Sequence, residues 1–274
     1  MATAELAPLG DREFRRIVEL VRSRAGIELG ESKRQLCQTR LGRRLKALSI
    51  PDYRAYVKLF DDDDHPEHKE LINAITTNVT AFYREQHHFD LLRGLLPKLA
   101  ATKKRIRIWS AGCSSGEEPW SYAITVREAL GSCQGLDVKI LATDIDTQVL
   151  AKAAAGVYED ENVKPVTQKR LQTYFTRGSG TNDGKWRIAD DLRSLVTFKQ
   201  LNLFAPWPMQ GTFDLISCRN VIIYFDVENK VRLLTRYRDL LGTDGHLFLG
   251  HSESITPGVT GFVTVGRTAY RKSV

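Results

Sequence analysis

The residues with the clearest potential for chemistry surround one short turn. Gly112 and Gly116 bracket a run of small residues, and the acids Glu117 and Glu118 follow directly. The turn comes after a β-branched and aromatic run typical of a buried strand, and a second such run ends in Asp144. Backbone N–H groups of such a turn can approach a ligand closely, and an acid after the second strand can accept both hydroxyls of a ribose. The pattern predicts a site for a nucleoside-containing cofactor.

The glycine spacing narrows the class of cofactor. A dinucleotide fingerprint reads G-x-G-x-x-G, in which the central glycine admits a pyrophosphate, whereas this turn reads Gly112-Cys-Ser-Ser-Gly116. Glu117 and Glu118 would also repel a phosphate, and they favour a ligand with cationic or hydroxyl groups. S-adenosylmethionine fits, since it carries a sulfonium, an ammonium and no phosphate. The alternative is an ordinary strand–helix turn that binds nothing.

Composition limits the class of protein. The chain has 274 residues, 42% of them hydrophobic and 27% charged, which is ordinary for a globular protein. No apolar run approaches the ~20 residues that a membrane-spanning helix needs, and the first residues do not resemble a signal peptide. We therefore expect a cytoplasmic location without membrane insertion. The net charge of +7 favours an acidic partner, whether nucleic acid, membrane surface or protein.

Cysteine and histidine spacing gives little support for a metal. None of the four cysteines forms a C-x-x-C pair, so we expect free thiols in a reducing compartment. His87 and His88 are adjacent, and neighbouring side chains of a helix point apart. We expect no metal cofactor.

The periodicity of apolar residues divides the chain. Residues 11–76 read as helices, with Asp11 and Ser32 as predicted N-caps, and the first domain is placed at 1–76. Residues 77–274 alternate strands and helices, which is typical of a parallel α/β sheet. Strands are predicted near 106–110, 138–143, 213–218 and 246–250, with a terminal strand pair in 262–271. An antiparallel insertion is predicted at about 171–200, built from a hairpin with a glycine-rich loop and a further strand at 195–199.

Four stretches, read together, resemble one family. They are Thr77-Asn-Val-Thr-Ala-Phe-Tyr-Arg84, Ala111-Gly-Cys-Ser-Ser-Gly-Glu-Glu-Pro-Trp-Ser121, Ala142-Thr-Asp-Ile-Asp146 and Ser217-Cys-Arg-Asn-Val-Ile-Ile-Tyr-Phe-Asp226. Their order and spacing are similar to those of the bacterial chemotaxis receptor methyltransferases, the CheR family, as is Gly250-His-Ser-Glu253. The resemblance covers nearly the whole chain. It implies a Rossmann-like methyltransferase sheet with an antiparallel β-subdomain, preceded by a small all-α domain.

The resemblance also implies an activity and a set of site residues. A CheR protein transfers the methyl group of S-adenosylmethionine to glutamate side chains of chemoreceptor cytoplasmic helices, giving methyl esters and S-adenosylhomocysteine. By matching position, the cofactor contacts are Asn78, Thr80, Arg84, Glu118, Asp144, Asn202, Leu203, Arg219 and Asn220. Whether Glu117 or Glu118 makes the contact stays open. Arg84 and Tyr224 match residues proposed to act near the transferred methyl. The alternatives are a capping or ion-pairing arginine and a core tyrosine.

Two surfaces are candidates for receptor recognition. Lys33, Arg40, Arg43 and Lys46 fall on one side of a predicted helix and could meet the acidic methylation helix of a receptor; the alternative is a solvated face. In the family the β-subdomain of some members binds a pentapeptide at the receptor C-terminus. The candidate residues in this chain are Gly178, Gly180 and Gly184, which would let the loop approach the peptide, and Arg187 and Arg193, which could meet its carboxylates; the alternative is a plain hairpin.

Two other functions remain to be weighed. A nucleic-acid methyltransferase that acts on exocyclic amines usually has an Asn/Asp-Pro-Pro-aromatic motif after the fourth strand. This chain has Arg219-Asn-Val-Ile there and contains no Pro-Pro, so no nucleic-acid partner is expected. A non-catalytic receptor-docking adaptor is the other alternative, and retention of Arg84, Asp144 and Tyr224 argues against it.

Overall fold

The computed structural model describes residues 6–273 and divides into two compact units. The first contains the described residues up to Thr77 together with Tyr224–Asn229, and the second contains Asn78–Ile223 and the residues from Lys230 onward. The segment Tyr224–Asn229 therefore clusters with the helices, although its sequence neighbours belong to the second unit. No helix among residues 6–273 is long and apolar enough to cross a membrane.

The first unit is helical, as the apolar periodicity predicts. Its helices are α1 (Asp11–Ala25), α2 (Arg34–Ala47), α3 (Tyr53–Lys58) and α4 (Glu67–Ile75), with 3₁₀ turns at Glu31–Lys33 and Leu59–Asp61. Both predicted N-caps were wrong. Asp11 is the first residue of α1, where its charge suits the helix dipole, and Ser32 lies inside the 3₁₀ turn that precedes α2.

Arg40 was predicted to share an exposed basic face with Lys33, Arg43 and Lys46, but it is only half-exposed and is bonded to the end of α4. Its guanidinium donates hydrogen bonds at 2.6–3.3 Å to three consecutive carbonyls at the end of α4, those of Ala74, Ile75 and Thr76. The last carbonyls of a helix have no partner within the helix, so Arg40 provides hydrogen-bond donors to the partly buried end of α4. Only Lys33, Arg43 and Lys46 of the predicted basic face are exposed.

The segment after the 3₁₀ turn Ile222–Tyr224 pairs with the loop that follows α1. Ile27 and Phe225 form an antiparallel bridge, and the Glu28 N–H donates to the Tyr224 carbonyl at 2.8 Å. Arg22 and Asp226 form an ion pair at 3.1 Å. These contacts hold the backbone of Tyr224 within the first unit.

The second unit is built on a seven-stranded sheet with the order β6-β2-β1-β7-β8-β10-β9. The strands are β1 (Arg105–Ala111), β2 (Asp137–Asp144), β6 (Val196–Gln200), β7 (Phe213–Cys218), β8 (Leu241–Leu249), β9 (Phe262–Gly266) and β10 (Ala269–Lys272). The first five are parallel, and β10 and β9 add an antiparallel edge. The predicted terminal strand pair is present.

Helices cover both faces of this sheet. They are α5 (His87–Thr102), α6 (Glu117–Leu130), α7 (Thr147–Ala155), α10 (Asp190–Arg193) and α11 (Val227–Leu240). On β1, Ile108 belongs to the core that α5 and α6 close, whereas Trp109 points to the other face and packs against Tyr237 of α11. The chain leaves β1 toward β2 and later returns to β7 on the other side. Their carboxyl ends therefore meet at a topological switch point, where open α/β sheets bind ligands.

A three-stranded antiparallel sheet forms the insertion, with the order β3-β5-β4. Its strands are β3 (Val157–Glu159), β4 (Phe175–Arg177) and β5 (Lys185–Ile188), and it carries α8 (Asp160–Val163) and α9 (Gln168–Tyr174). The hairpin of β4 and β5 was predicted. The assignment of residues 195–199 to this insertion was wrong, because β6 pairs in parallel with β2 of the large sheet. Its place is taken by β3, which is too short to show a periodicity.

Candidate cofactor and catalytic site

The glycine turn lies at the carboxyl end of β1 and is bonded to β2. The N–H groups of Gly112 and Cys113 both donate to the Thr143 carbonyl, at 2.8 and 2.9 Å. Gly112 and Gly116 have φ of 84° and 96°, a region that side chains disfavour. A Cβ at Gly112 would also overlap the Val221 side chain. The turn can therefore be tight only with glycine at these positions.

Asp144 joins the turn to the end of β2. Its carboxylate accepts hydrogen bonds from the N–H of Ser114 at 2.8 Å and of Asp146 at 3.0 Å. Burial raises the pKa of Asp144, although the backbone donors oppose this shift. A carboxylate offers about four lone-pair sites, so the group can still accept a further hydrogen bond. The geometry is compatible with the predicted ribose contact, and it adds a structural role.

Asn78 belongs to the same cluster. Its side-chain amide donates to Asp146 at 2.7 Å, and its carbonyl accepts from the Ser114 hydroxyl at 2.8 Å. Asp146 also accepts from the N–H groups at the start of α7. Asn78 and the half-buried Thr80 thus lie on a segment that is bonded directly to the glycine turn.

The two acids after the turn have different surroundings. Glu117 is buried and accepts from the Ser115 hydroxyl at 2.8 Å, and burial raises its pKa. Glu118 accepts from the Ser110 hydroxyl at 2.7 Å and from Arg219 at 2.9 Å. Glu118 therefore shares a polar cluster with another predicted site residue. We keep it as the predicted cofactor contact.

Arg219 is a buried cation held between two acids. It pairs with Glu118 at 2.9 Å and with Glu85 at 3.3 Å, and it donates to the carbonyl of Arg84. Burial alone would lower the pKa of Arg219, but the two acids raise it. Its guanidinium is thus engaged by protein groups, which favours a role in orienting Glu118. Sequence reasoning missed Glu85, because nothing in its spacing indicates this pairing.

The backbone around Arg84 has an unusual conformation. Tyr83 and Glu85, on either side of it, have φ of 54° and 60°. Non-glycine residues with positive φ persist where surrounding contacts hold them, and they cluster at functional sites. The Tyr83 N–H donates to Ser121 at 3.1 Å, while the Arg84 guanidinium donates to the Val79 carbonyl at 3.0 Å. Arg84 is half-buried. Tyr224 is half-buried and belongs to the first unit.

Asn202 and Leu203 follow β6 and lie beside the end of β2. The N–H of Leu201 donates to the Asp144 carbonyl at 2.9 Å. The Asn202 side chain accepts from the Phe204 N–H at 2.9 Å, which forms a local turn, and Leu203 is buried. Both residues therefore follow directly after a residue that is hydrogen-bonded to Asp144, so they lie near it in space, as the predicted cofactor site requires.

Asn220 follows β7 with a φ of 59° and depends on Glu253. The buried Glu253 carboxylate accepts from the N–H groups of Asn220 at 2.8 Å, Gly250 at 2.5 Å and Ile223 at 3.2 Å. Burial raises the pKa of Glu253, and these donors oppose the shift. The resemblance of Gly250-His-Ser-Glu253 was the only signal for this residue, and it indicated no role.

One group of side chains among residues 6–273 has metal-ligand geometry. Ligand atoms of Glu85, His87 and His88 lie within 4.8 Å of one another. Glu85 already pairs with Arg219 and accepts from His251, and a cation bound there would meet the Arg219 charge. The expectation of no metal cofactor stays a prediction.

The predicted peptide site lies in the β3-β5-β4 sheet. Gly180 and Gly184 have φ of 62° and 79°, and a Cβ at Gly178 would overlap the Asn182 carbonyl. Arg187 lies on the central strand and pairs with Asp190. The edges are β3 and β4, so only these can receive an added strand. Arg193 does not extend the peptide site as expected, because it donates to the carbonyls of Ala154 and Ala155 at the end of α7.

Comparison with known protein families shows to which family the chain belongs. The model for the CheR methyltransferase SAM-binding domain matches residues 78–270, and that for the CheR all-alpha domain matches residues 12–76. The chain belongs to the CheR methyltransferase family. Its second unit is a Rossmann-like S-adenosylmethionine-dependent methyltransferase domain, as predicted.

Relatives match over nearly their full length. The chain is 44% identical to a chemotaxis protein methyltransferase of Klebsiella aerogenes, with 97% of this chain and 91% of the relative covered. It is 43% identical to the Escherichia coli protein of that name, with 98% and 93% covered. For chemotaxis protein methyltransferase 2 of Pseudomonas aeruginosa the values are 44%, 94% and 92%. A solved magnesium protoporphyrin IX methyltransferase from Synechocystis with bound SAM is 16% identical, covers 69% of this chain and 80% of its own, and has a TM-score of 0.37.

The residues of this CheR site fit S-adenosylmethionine. The turn after β1 has acids rather than a phosphate-binding glycine pattern, and the buried carboxylate of Asp144 keeps acceptor capacity at the end of β2. Glu118 adds a second carboxylate, and such groups suit hydroxyl and ammonium donors.

Proposed function

We propose that this protein transfers the methyl group of S-adenosylmethionine to glutamate side chains of chemoreceptor cytoplasmic helices, giving glutamate methyl esters and S-adenosylhomocysteine. The observation that supports this most is its 43–44% identity to three chemotaxis protein methyltransferases over at least 94% of the chain. The carboxylate-rich cluster after β1 and β2 adds support, since it suits this cofactor. The product and the acceptor class follow from the family.

Methyl transfer to a glutamate carboxylate mainly requires that the protein position the two reactants. S-adenosylmethionine supplies a methyl group that its sulfonium already activates. A glutamate with a pKa of ~4.3 is ionised at neutral pH, so the chain need not supply a general base. Its task is to orient the acceptor and exclude water, and proximity can contribute up to ~7–11 kcal/mol in ideal cases.

We assign roles to residues on this basis. Asn78, Thr80, Glu118, Asp144, Asn202, Leu203 and Asn220 contact the cofactor, and Arg219 orients Glu118. Arg84 provides a cation for a carboxylate of the cofactor or the acceptor. Tyr224 donates a hydrogen bond from its hydroxyl to the acceptor carboxylate and orients it. No metal is needed in this scheme, and the reaction takes place in the cytoplasm.

Two receptor contacts complete the proposal. Lys33, Arg43 and Lys46 are exposed on α2 or just before it and meet the acidic methylation helix. The edge of the β3-β5-β4 sheet binds the C-terminal pentapeptide of some receptors by strand addition. The glycines at 178, 180 and 184 allow the loop to lie close to the peptide backbone.

The test is transfer of labelled methyl from S-adenosylmethionine to purified receptor cytoplasmic fragments. We expect base-labile label that disappears when the methylated glutamates are replaced by alanine. Label on RNA instead would favour a nucleic-acid methyltransferase. Cofactor binding by calorimetry without transfer to any receptor fragment would favour the adaptor.

A further inference from the structure

The loop that carries Asn202 and Leu203 is bonded to a residue of α11. The guanidinium of Arg236 donates to the Leu203 carbonyl at 2.6 Å and to the Ala205 carbonyl at 2.9 Å. On its other side the loop is bonded to β2, through the Leu201 N–H and the Asp144 carbonyl at 2.9 Å. Two attachments therefore bracket Asn202 and Leu203, and Arg236 provides one of them.

The same guanidinium lies on an aromatic cluster. Its central carbon is 3.6 Å from the centroid of the Trp207 ring. Trp207 stacks on Tyr237 with centroids 5.5 Å apart and meets Trp109 of β1 edge-on at 4.9 Å. The loop is thus held at residues 203, 205 and 207 by one side chain and the rings beneath it. These rings continue into the strand that precedes the glycine turn.

Arginine is suited to this position in a way that lysine is not. A planar guanidinium can donate to two carbonyls and stack on a ring at the same time, whereas an ammonium is a compact charge without a stacking face. Burial lowers the pKa of Arg236, and the nearby Arg232 lowers it further. Its two hydrogen-bond acceptors are carbonyls, so the cation is desolvated to hold a backbone conformation and not to neutralise an acid.

We propose that Arg236 is a positioning residue for cofactor recognition. It holds Asn202 and Leu203 in the conformation that receives the nucleoside part of S-adenosylmethionine, and it touches neither the transferred methyl group nor the acceptor. This inference rests on the proposed function, in which these two residues contact the cofactor.

The test replaces Arg236 by lysine, which keeps the positive charge and removes the planar guanidinium that donates to two carbonyls. Loss of one or two hydrogen bonds to charged groups should raise the Kd for S-adenosylhomocysteine about ten- to a hundredfold. The KM for S-adenosylmethionine should rise similarly, while kcat at saturating cofactor stays unchanged. The control is Arg232→Gln, which removes an exposed charge one turn earlier on α11. It should bind as the wild type does.

Hydrogen exchange separates positioning from general destabilisation. In R236K the amides of residues 203–207 should exchange faster, while those of β1 and β2 stay protected. Faster exchange throughout the sheet would mean that Arg236 only stabilises the fold and would overturn the proposal. So would a wild-type Kd in R236K, or an equal loss in R232Q. Because product binding needs no acceptor, failure to methylate receptor glutamates would overturn the proposed function and leave this result intact.

Discussion

At the scale of single residues, Asp144 has two tasks. Its carboxylate accepts hydrogen bonds from the N–H groups of Ser114 and Asp146, and it keeps lone pairs with which to accept from a ligand. A buried acid with backbone donors on both oxygens has little freedom to turn. The cofactor contact that we assign to it is therefore preorganised by the same hydrogen bonds that shape the glycine turn.

We expect Asp144→Asn to weaken binding of S-adenosylhomocysteine by ~1.5–3 kcal/mol, the range for a hydrogen bond to a charged group. An amide nitrogen cannot accept, so one of the two backbone N–H groups also loses its partner. Calorimetry measures the change. Asp137→Asn, at the exposed start of the same strand, is the matched control and should bind normally. Unchanged affinity in folded Asp144→Asn would remove Asp144 from the cofactor site.

Tyr224→Phe should separate chemistry from cofactor binding. The hydroxyl is assigned to the acceptor carboxylate, so kcat for receptor methylation should fall while the Kd for S-adenosylhomocysteine stays nearly the same. The expected loss corresponds to about 1 kcal/mol or more for one hydrogen bond. Tyr174→Phe, which removes another half-buried phenol, should not change kcat. If Tyr224→Phe methylates at the wild-type rate, Tyr224 is a packing residue.

At the scale of secondary-structure elements, the long apolar runs of the sequence were sufficient to predict the central strands. The strands that the sequence predicts at 106–110, 138–143 and 213–218 correspond to β1, β2 and β7, because long buried strands show their apolar composition directly. The errors concern short elements and partners. Nothing in residues 195–199 says whether the strand pairs with the insertion or with β2, since pairing depends on the crossover and not on local composition.

In the candidate site, too, some residues were predicted from the sequence and others were not. Motif positions identified the residues at the ends of β1, β2 and β7, because the topology of a parallel sheet brings these ends together. Glu85, Glu253 and Arg236 were not predicted, although each holds a segment of the site. Glu85, Glu253 and Arg236 each have partners at least 30 residues away in the chain, and such long-range contacts leave no mark in local spacing.

On α2, the exposed basic residues and Arg40 should respond differently to substitution. Arg43→Glu combined with Lys46→Glu should raise the KM for receptor and leave cofactor affinity unchanged, because both side chains are exposed. Wild-type methylation should also weaken with salt, since exposed charges are screened over ~8–10 Å. Arg40→Gln should instead lower thermal stability, since it removes the guanidinium hydrogen bonds to the carbonyls at the end of α4. A salt-independent KM that the double variant does not change would remove α2 from the interface.

At the scale of the whole molecule, the two units can be followed separately. All four tryptophans, at positions 109, 120, 186 and 207, belong to the second unit. Tryptophan fluorescence during urea unfolding therefore reports on the methyltransferase unit alone. This matters for pH dependence, because His88 and His246, two histidines whose pKa burial lowers, also lie in that unit.

Acid should reduce the contribution that the neutral, buried His88 makes to the stability of the methyltransferase unit. Burial lowers the pKa of His88 from 6.5 to about 3, and Arg219 contributes in the same direction. Between these values the unfolded chain binds a proton that the folded chain excludes, so the free energy of unfolding falls as pH falls. The loss from about pH 7 to about pH 5 should be roughly 2 kcal/mol for this residue. His246, whose pKa burial also lowers, adds to it.

The pH dependence of the free energy of unfolding, compared between variants, shows whether His88 is the group that binds the proton on unfolding. His88→Asn removes the titrating ring, so its free energy of unfolding should vary less between about pH 7 and pH 5 than that of the wild type. Its absolute stability falls as well, because His88 stacks on Phe248 with centroids 4.6 Å apart. The difference between the two pH values is therefore the measurement. His65→Asn, in the first unit, should keep the wild-type slope. An equal slope in His88→Asn and the wild type would show that His88 is not the group that acid protonates on unfolding.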